Sequence, residues 1–149
     1  MKKENLVRVK MESRSVNEAF ARSMAGAYLM PFDPTLEELG DVKTAVSEAV
    51  TNAIVHAYPD TIGEIVMELY TKDNAELYIR ILDKGCGIAD IKQAMEPLFT
   101  TCSDEERSGL GFTMMQSFCD KVRVRSKIGK GTTVTLMRRI SMRERNADK

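Results

Sequence analysis

The spacing of apolar positions divides the chain into strands and helices. From Leu6 to Met11 the residues Val7, Val9 and Met11 alternate with polar ones, the period-two pattern of a strand with one buried face. Ser15-Val16-Asn17-Glu18 then has the form of a capping box, with Ser15 at the N-cap and Glu18 three residues on. Val16, Phe20, Met24, Ala27 and Tyr28 follow at helical spacing, so a helix is expected to bury that stripe and stop before Pro31. Asp33-Pro34 reads as the N-cap and first residue of a second helix, with Glu37 and Glu38 in its electropositive first turns. Leu36, Leu39, Val42, Val46, Val50, Ala53 and Ile54 carry the helical period to about Ala57, and Pro59 and Gly63 end it. Gly40 interrupts this helix at a cost of about 1 kcal/mol relative to alanine.

The second half is richer in strands. Glu64–Thr71 and Glu76–Asp83 are β-type runs joined by Lys72-Asp73-Asn74-Ala75, an antiparallel hairpin. A glycine-rich loop, Asp83-Lys84-Gly85-Cys86-Gly87, leads to a short helix expected from Asp90 to about Met95. Pro97 to Ser108 is irregular and polar, Gly109 to Cys119 helical, and Val122–Ser126 and Thr132–Ile140 are strands around the turn Ile128-Gly129-Lys130-Gly131. Hairpins with helices gathered on one face predict an α+β two-layer sandwich with a mainly antiparallel sheet.

Composition narrows the function classes. The chain has 149 residues, 43% hydrophobic and 30% charged, which suits one globular domain over 1–149, with 5–140 ordered and a charged tail over 141–149. Lys plus Arg (22) balance Asp plus Glu (22), so no global positive field favours a stand-alone nucleic-acid binder. The balance hides an asymmetry, because residues 121–149 hold ten Lys and Arg against two acids. That segment is a solvated strand face and tail, or a basic surface that steers an acidic protein partner. Cys86, Cys102 and Cys119 form no CxxC and leave one unpaired in any disulfide scheme, which points to a reducing compartment. No apolar run follows the first charged residues and none approaches a membrane span, so a cytoplasmic protein without signal peptide or membrane contact is expected.

Four pieces carry candidate chemistry. Glu48 and Asn52 stand one helical turn apart on one face. An asparagine amide oxygen is a hard, neutral ligand suited to Mg²⁺, and a carboxylate beside it can orient or deprotonate a hydroxyl. Taken alone, the pair is the polar edge of an amphipathic helix. Asp83-x-Gly85-x-Gly87 follows a strand; glycines let backbone approach a planar ligand, and the carboxylate can accept from an exocyclic amine. Ser108-Gly109-Leu110-Gly111-Phe112 opens a helix whose N–H groups and dipole suit phosphate, yet it is neither a P-loop nor a dinucleotide fingerprint. Gly129-Lys130-Gly131-Thr132-Thr133 is a tight turn feeding a strand.

In this order the set resembles the N, G1, G2 and G3 boxes of the Bergerat-fold (GHKL, histidine-kinase-like) ATPases and kinases. The runs 48–58, 97–101 and 106–112 resemble, within that superfamily, the bacterial anti-sigma-factor serine kinases, and the likeness covers about residues 5 to 140. It is nearest to the branch that acts on sporulation sigma factor F; the general-stress sigma B branch shares the same boxes. The resemblance implies ATP/ADP and Mg²⁺ as ligands, a homodimer, and two partners: a sigma factor held inactive and an anti-anti-sigma factor phosphorylated on serine. It further implies that Asn52 ligates Mg²⁺ and that Glu48 is the base or orienter for the substrate hydroxyl. Asp83, with Gly85 and Gly87, would receive adenine, and Thr133 would help through water. Ser108, Gly109 and Gly111 would cradle phosphate, with Thr100 and Thr101 of a short lid near the nucleotide and Arg107 reaching the terminal phosphate. Arg22 matches the family position that holds the protein partners. An ATP-liganded binding module without kinase activity, and a detached histidine-kinase or gating ATPase domain, are the alternatives. His56, the sole histidine, is expected to pack or to hydrogen-bond near the phosphates, not to accept phosphate.

Overall fold

A computed structural model describes residues 2–73, 75–87 and 111–141. The elements are β1 (Glu4–Glu12), α1 (Val16–Leu29), α2 (Leu36–Asn52), β2 (Glu64–Lys72), β3 (Glu76–Asp83), α3 (Gly111–Phe118), β4 (Lys121–Lys127) and β5 (Gly131–Arg139). A 3-10 turn, Met30–Phe32, follows α1, and a π turn, Ala53–Ala57, continues α2. The strands form one antiparallel sheet in the order β1-β2-β3-β5-β4, the two-layer α+β architecture that the pattern of elements predicts.

One face of the sheet meets the helices. Val7, Val9 and Met11 pair across to Leu69, Met67 and Ile65, and Leu77, Ile79, Ile81, Val134 and Leu136 extend the same apolar face. Val42, Ala45, Val46, Ala49 and Val50 of α2 lie on it, and Met115 and Phe112 of α3 close its far end. Each fully buried Leu, Ile or Val contributes about 1.5–3 kcal/mol by leaving water, so this layer sets the register of every strand. The opposite face is polar. Glu68 is buried there between Arg8 and Arg80, and Tyr70 stacks on Tyr78 with ring centroids 5.2 Å apart. Lys121, Arg123, Arg125 and Lys127 alternate along the exposed face of the edge strand β4, where cations discourage pairing with another strand.

Three local expectations are corrected. Helix α2 begins two residues later than Asp33-Pro34 suggests. Its N-cap is Thr35, whose hydroxyl accepts from the Glu38 amide at 3.0 Å while the Glu38 carboxylate accepts from the Thr35 amide at 2.9 Å. Ser15 precedes α1 in the helical region and makes no side-chain cap, because Glu18 is drawn instead to Ser47 on α2 (2.6 Å) and to Arg22 (3.0 Å). The stripe expected to bury α1 faces outward in part: Val16 is 74% and Phe20 52% exposed, and Ala21, Ala25, Gly26 and Leu29 are the buried residues. Small residues let α1 and α2 approach closely, as at Gly26, where an added methyl would touch Leu39 and Lys43 at 3.5 Å.

Candidate functional site

The candidate residues that the structure describes are carried mainly by three segments that the sheet order brings side by side: the C-terminal end of α2, the loop after β3 and the turn before β5. Helix α2 delivers Glu48 and Asn52, both half-buried, beside the buried Ala49, Val50 and Ala53. Beyond Asn52 the chain winds as a π turn, a local unwinding often found at functional sites. It ends at His56 and Ala57, whose carbonyls accept from Cys86, the first from the thiol at 3.1 Å and the second from the amide at 3.3 Å.

Asp83 ends β3 and is held on both sides. Its Oδ1 accepts from the Gly85 amide at 2.9 Å and from the Thr132 amide at 3.1 Å. Burial pushes its carboxyl above the ordinary aspartate value, and the two N–H bonds only partly offset that. A partly desolvated acceptor fixed by two backbone donors is suited to a directional bond with a ligand N–H group.

The glycines explain how the segments close. A Cβ at Gly85 would stand closer than 3.0 Å to the Ala57 carbonyl, so helix end and loop meet backbone to backbone. Gly87 (φ 81°) and Gly131 (φ 115°) occupy conformations that side chains rarely adopt, and added Cβ atoms there would strike Lys127 and Asp83 backbone. The Gly129 amide also donates to the Cys86 carbonyl at 2.9 Å, joining the turn before β5 to the loop after β3.

The register corrects one expected contact. β3 and β5 pair Asp83 with Thr132 and Leu82 with Thr133, so Thr133 lies on the face opposite Asp83. Thr132 is the threonine at the site: it is 8% exposed, its amide serves Asp83, and its hydroxyl lies 2.6 Å from that of Ser126. The inward positions Val134 and Leu136, two and four residues on, carry the alternation that places Thr132 inward. No motif in the sequence gives Tyr58 a role. Its hydroxyl donates to the Glu64 carbonyl and accepts from the Lys84 amide, both at 2.7 Å. Burial raises its pKa, so the hydroxyl is protonated at neutral pH and makes both bonds.

Arg22 sits apart on α1, paired with Glu18, which also takes the Ser47 hydroxyl one residue before Glu48. Gly111 is the first residue of α3. Thr100, Thr101, Arg107, Ser108 and Gly109, with the expected helix from Asp90, lie outside the described residues. Among the described residues no three His, Cys, Asp or Glu gather as a protein-only metal cage. Asn52 instead offers a single neutral oxygen, and Mg²⁺ takes only one or two ligands from protein when phosphates and waters complete its shell, so this donor fits that ion.

Residues 11–138 match the family described as the histidine kinase-like ATPase domain. The chain is 49% identical over 140 residues to the anti-sigma F factor of Caldanaerobacter subterraneus subsp. tengcongensis, covering 94% of this chain and 97% of that protein. It is 46% identical over 141 residues to the anti-sigma F factor of Clostridium acetobutylicum, covering 95% and 98%. Among solved structures, the RsbU and RsbW domains of a Mycobacterium tuberculosis protein superpose with a TM-score of 0.66 at 18% identity, over 91% of this chain and 32% of that one. The mycobacterial sensor histidine kinase MprB superposes with a TM-score of 0.55 at 22% identity, over 68% and 74%. These two likenesses concern the fold alone. The chain therefore belongs to the histidine kinase-like ATPase family, among the anti-sigma F factors.

Proposed function

We propose that this protein binds and inhibits the sporulation sigma factor F and that, with ATP, it phosphorylates a serine of the cognate anti-anti-sigma factor. The observation that carries the reading is the convergence of Asp83, Gly85, Gly87 and Thr132 with the Asn52 end of α2, within a chain alike over nearly its whole length to anti-sigma F factors. In this reading the adenine amine donates to Asp83, and the glycines let the ring lie against backbone. Asn52 would hold Mg²⁺, and the ion would offset phosphate charge. The phosphates would be met by Ser108, Gly109 and Gly111 and by Arg107, Thr100 and Thr101.

Phosphoryl transfer asks the protein mainly for positioning and charge neutralisation. The substrate serine oxygen bonds to the γ-phosphorus as the bond to the β–γ bridging oxygen breaks, leaving ADP, and the serine proton passes to the Glu48 carboxylate. Arg107 steadies the charge that develops on the departing oxygens. Arg22 faces the protein partners from α1. Val16 and Phe20 on α1 and Met30 in the turn after it, the last 53% exposed, leave apolar surface, which supports a homodimer. No described helix is long and apolar enough to cross a membrane, and a sigma factor partner implies the cytoplasm.

The test uses the whole chain with Mg²⁺, labelled ATP and a small anti-anti-sigma protein. Label is expected on a serine of the second protein. Glu48→Gln should abolish transfer and leave sigma binding intact. Folded, ATP-binding wild-type protein that transfers no label would leave a nucleotide-gated binding module. Unchanged transfer in the variant would remove Glu48 from its role.

A further inference from the structure

The loop that presents Asp83 is not held by Asp83 alone. Among the described residues three bonds dock it on the end of α2 and the residue that follows its π turn: the Cys86 amide on Ala57 (3.3 Å), the Cys86 thiol on His56 (3.1 Å) and the Lys84 amide on the Tyr58 hydroxyl (2.7 Å). The last is the shortest and adjoins Asp83 directly. It is also the only one whose acceptor is a side chain, and that side chain is itself braced. The Tyr58 ring covers Gly63 so closely that any Cβ there would overlap it, and the hydroxyl donates to the carbonyl of Glu64, the first residue of β2. Tyr58 is thus a strut from the start of β2 to the peptide between Asp83 and Lys84. β2 and β3 are neighbours whose paired residues include Ile65 and Asp83, so the strut spans the open end of that ladder.

A carboxylate distinguishes an adenine amine from a carbonyl only if its outward oxygen is held in one direction. The Gly85 amide holds Oδ1 from the loop itself and the Thr132 amide holds it from β5, but the direction of the outward oxygen also depends on the backbone from which the side chain springs. That backbone is set on one side by the β3 ladder and on the other by Tyr58.

Resting on the nucleotide reading above, we propose that Tyr58 is a positioning residue for base discrimination. It acts outside the pocket by fixing the direction in which Asp83 leaves β3, so that the site prefers a purine bearing a 6-amino group over one bearing a 6-oxo group.

The experiment compares ATP with inosine triphosphate, which has a carbonyl where adenine has the amine, by calorimetry on the full-length chain with Mg²⁺. Wild type should prefer ATP at least tenfold. Tyr58→Phe keeps the ring on Gly63 and removes only the hydroxyl; it should weaken ATP about 5- to 10-fold and leave inosine triphosphate within twofold. In an Asp83→Asn background the same change should add no further loss. General loosening would weaken both nucleotides alike, and that result, or no change for either, overturns the proposal while leaving the nucleotide site standing. No ATP uptake by folded wild type removes the nucleotide reading and this proposal together. Should Tyr58→Phe fail to fold, amide exchange in wild type decides: the Lys84 amide should exchange at least 100-fold more slowly than an unstructured amide, and free exchange there overturns the strut.

Discussion

Replacing Asp83 by asparagine separates the architecture of the loop from its chemistry. Oδ1 carries both backbone bonds, from Gly85 at 2.9 Å and Thr132 at 3.1 Å, and asparagine retains an oxygen to accept them. Among the described residues no bond to Oδ2 is made, so the substitution changes only the outward atom, from acceptor to amide donor. Against an adenine amine, a donor then faces a donor. A hydrogen bond to a charged acceptor is worth about 1.5–3 kcal/mol, so ATP should bind Asp83→Asn roughly 10- to 150-fold more weakly. Stability should move differently. Burial holds the Asp83 carboxyl above its ordinary value of 3.8, so folding disfavours the ionised form. For a carboxyl raised in the folded state, stability grows as pH falls from neutral through the folded pKa toward 3.8, because the native state takes up the proton first. Asparagine has no such proton. The variant should melt at or above the wild-type temperature at pH 7 and lose the wild type's relative gain in mild acid. Calorimetric titration with Mg-ATP and melting scans from pH 7 to 4 provide both readings. Unaltered ATP affinity would refute the adenine contact, and a fall of many degrees at pH 7 would refute the account of a desolvated carboxylate held by two amides.

Other expectations concern the frame. Gly40 lies within α2 with nothing within 4 Å of the position its Cβ would take, so Gly40→Ala should stabilise by about 0.5–1 kcal/mol and raise the Tm by roughly 2–4 °C without changing ATP affinity. Thr35→Ala breaks the capping box and should cost about 1 kcal/mol, read as a shift in the denaturation midpoint. Gly85→Ala forces a methyl against the Ala57 backbone and should cost about 1–3 kcal/mol, with ATP uptake lost while the circular-dichroism spectrum remains that of the folded chain.

The elements were legible wherever local pattern and burial agree. β3 runs from Glu76 to Asp83, as its alternation predicts, because Leu77, Ile79 and Ile81 all face the helices. The helix starts were harder. Thr35-Leu36-Glu37-Glu38 is itself a capping box, but Asp33-Pro34 competes for the same role two residues earlier. What decides is the backbone: Asp33 has φ 50°, a left-handed conformation that closes the 3-10 turn and cannot also cap a helix. On α1 two faces are apolar enough to be buried. The larger side chains, Val16 and Phe20, lose to the alanines because a helix pair gains more contact by approaching closely than by wedging rings between its members. Nothing within α1 reveals this, since the outcome depends on the partner helix.

The site divides along the same line. Its glycines and Asp83 were legible because a tight turn after a strand limits the residues that can stand there. The choice between Thr132 and Thr133 was harder, because both follow Gly131: alternation with Val134 and Leu136 turns Thr132 inward, but the pairing with β3 is what puts it on the face of Asp83. A strand has period two, so that one-residue difference moves a hydroxyl from the helix-facing side of the sheet to the opposite one. Tyr58 was invisible for a related reason: its two partners, Glu64 and Lys84, lie 6 and 26 residues away, and neither contact uses a side chain of the partner. Backbone amides and carbonyls carry no residue-type signal, so a side chain that serves them gives no sign in the sequence of what it holds. The same holds for the carbonyls of His56 and Ala57, which are open to Cys86 because the helix unwinds into a π turn there. Residue types therefore name the groups that would touch a ligand, whereas the register and the helix end decide whether those groups point at one place.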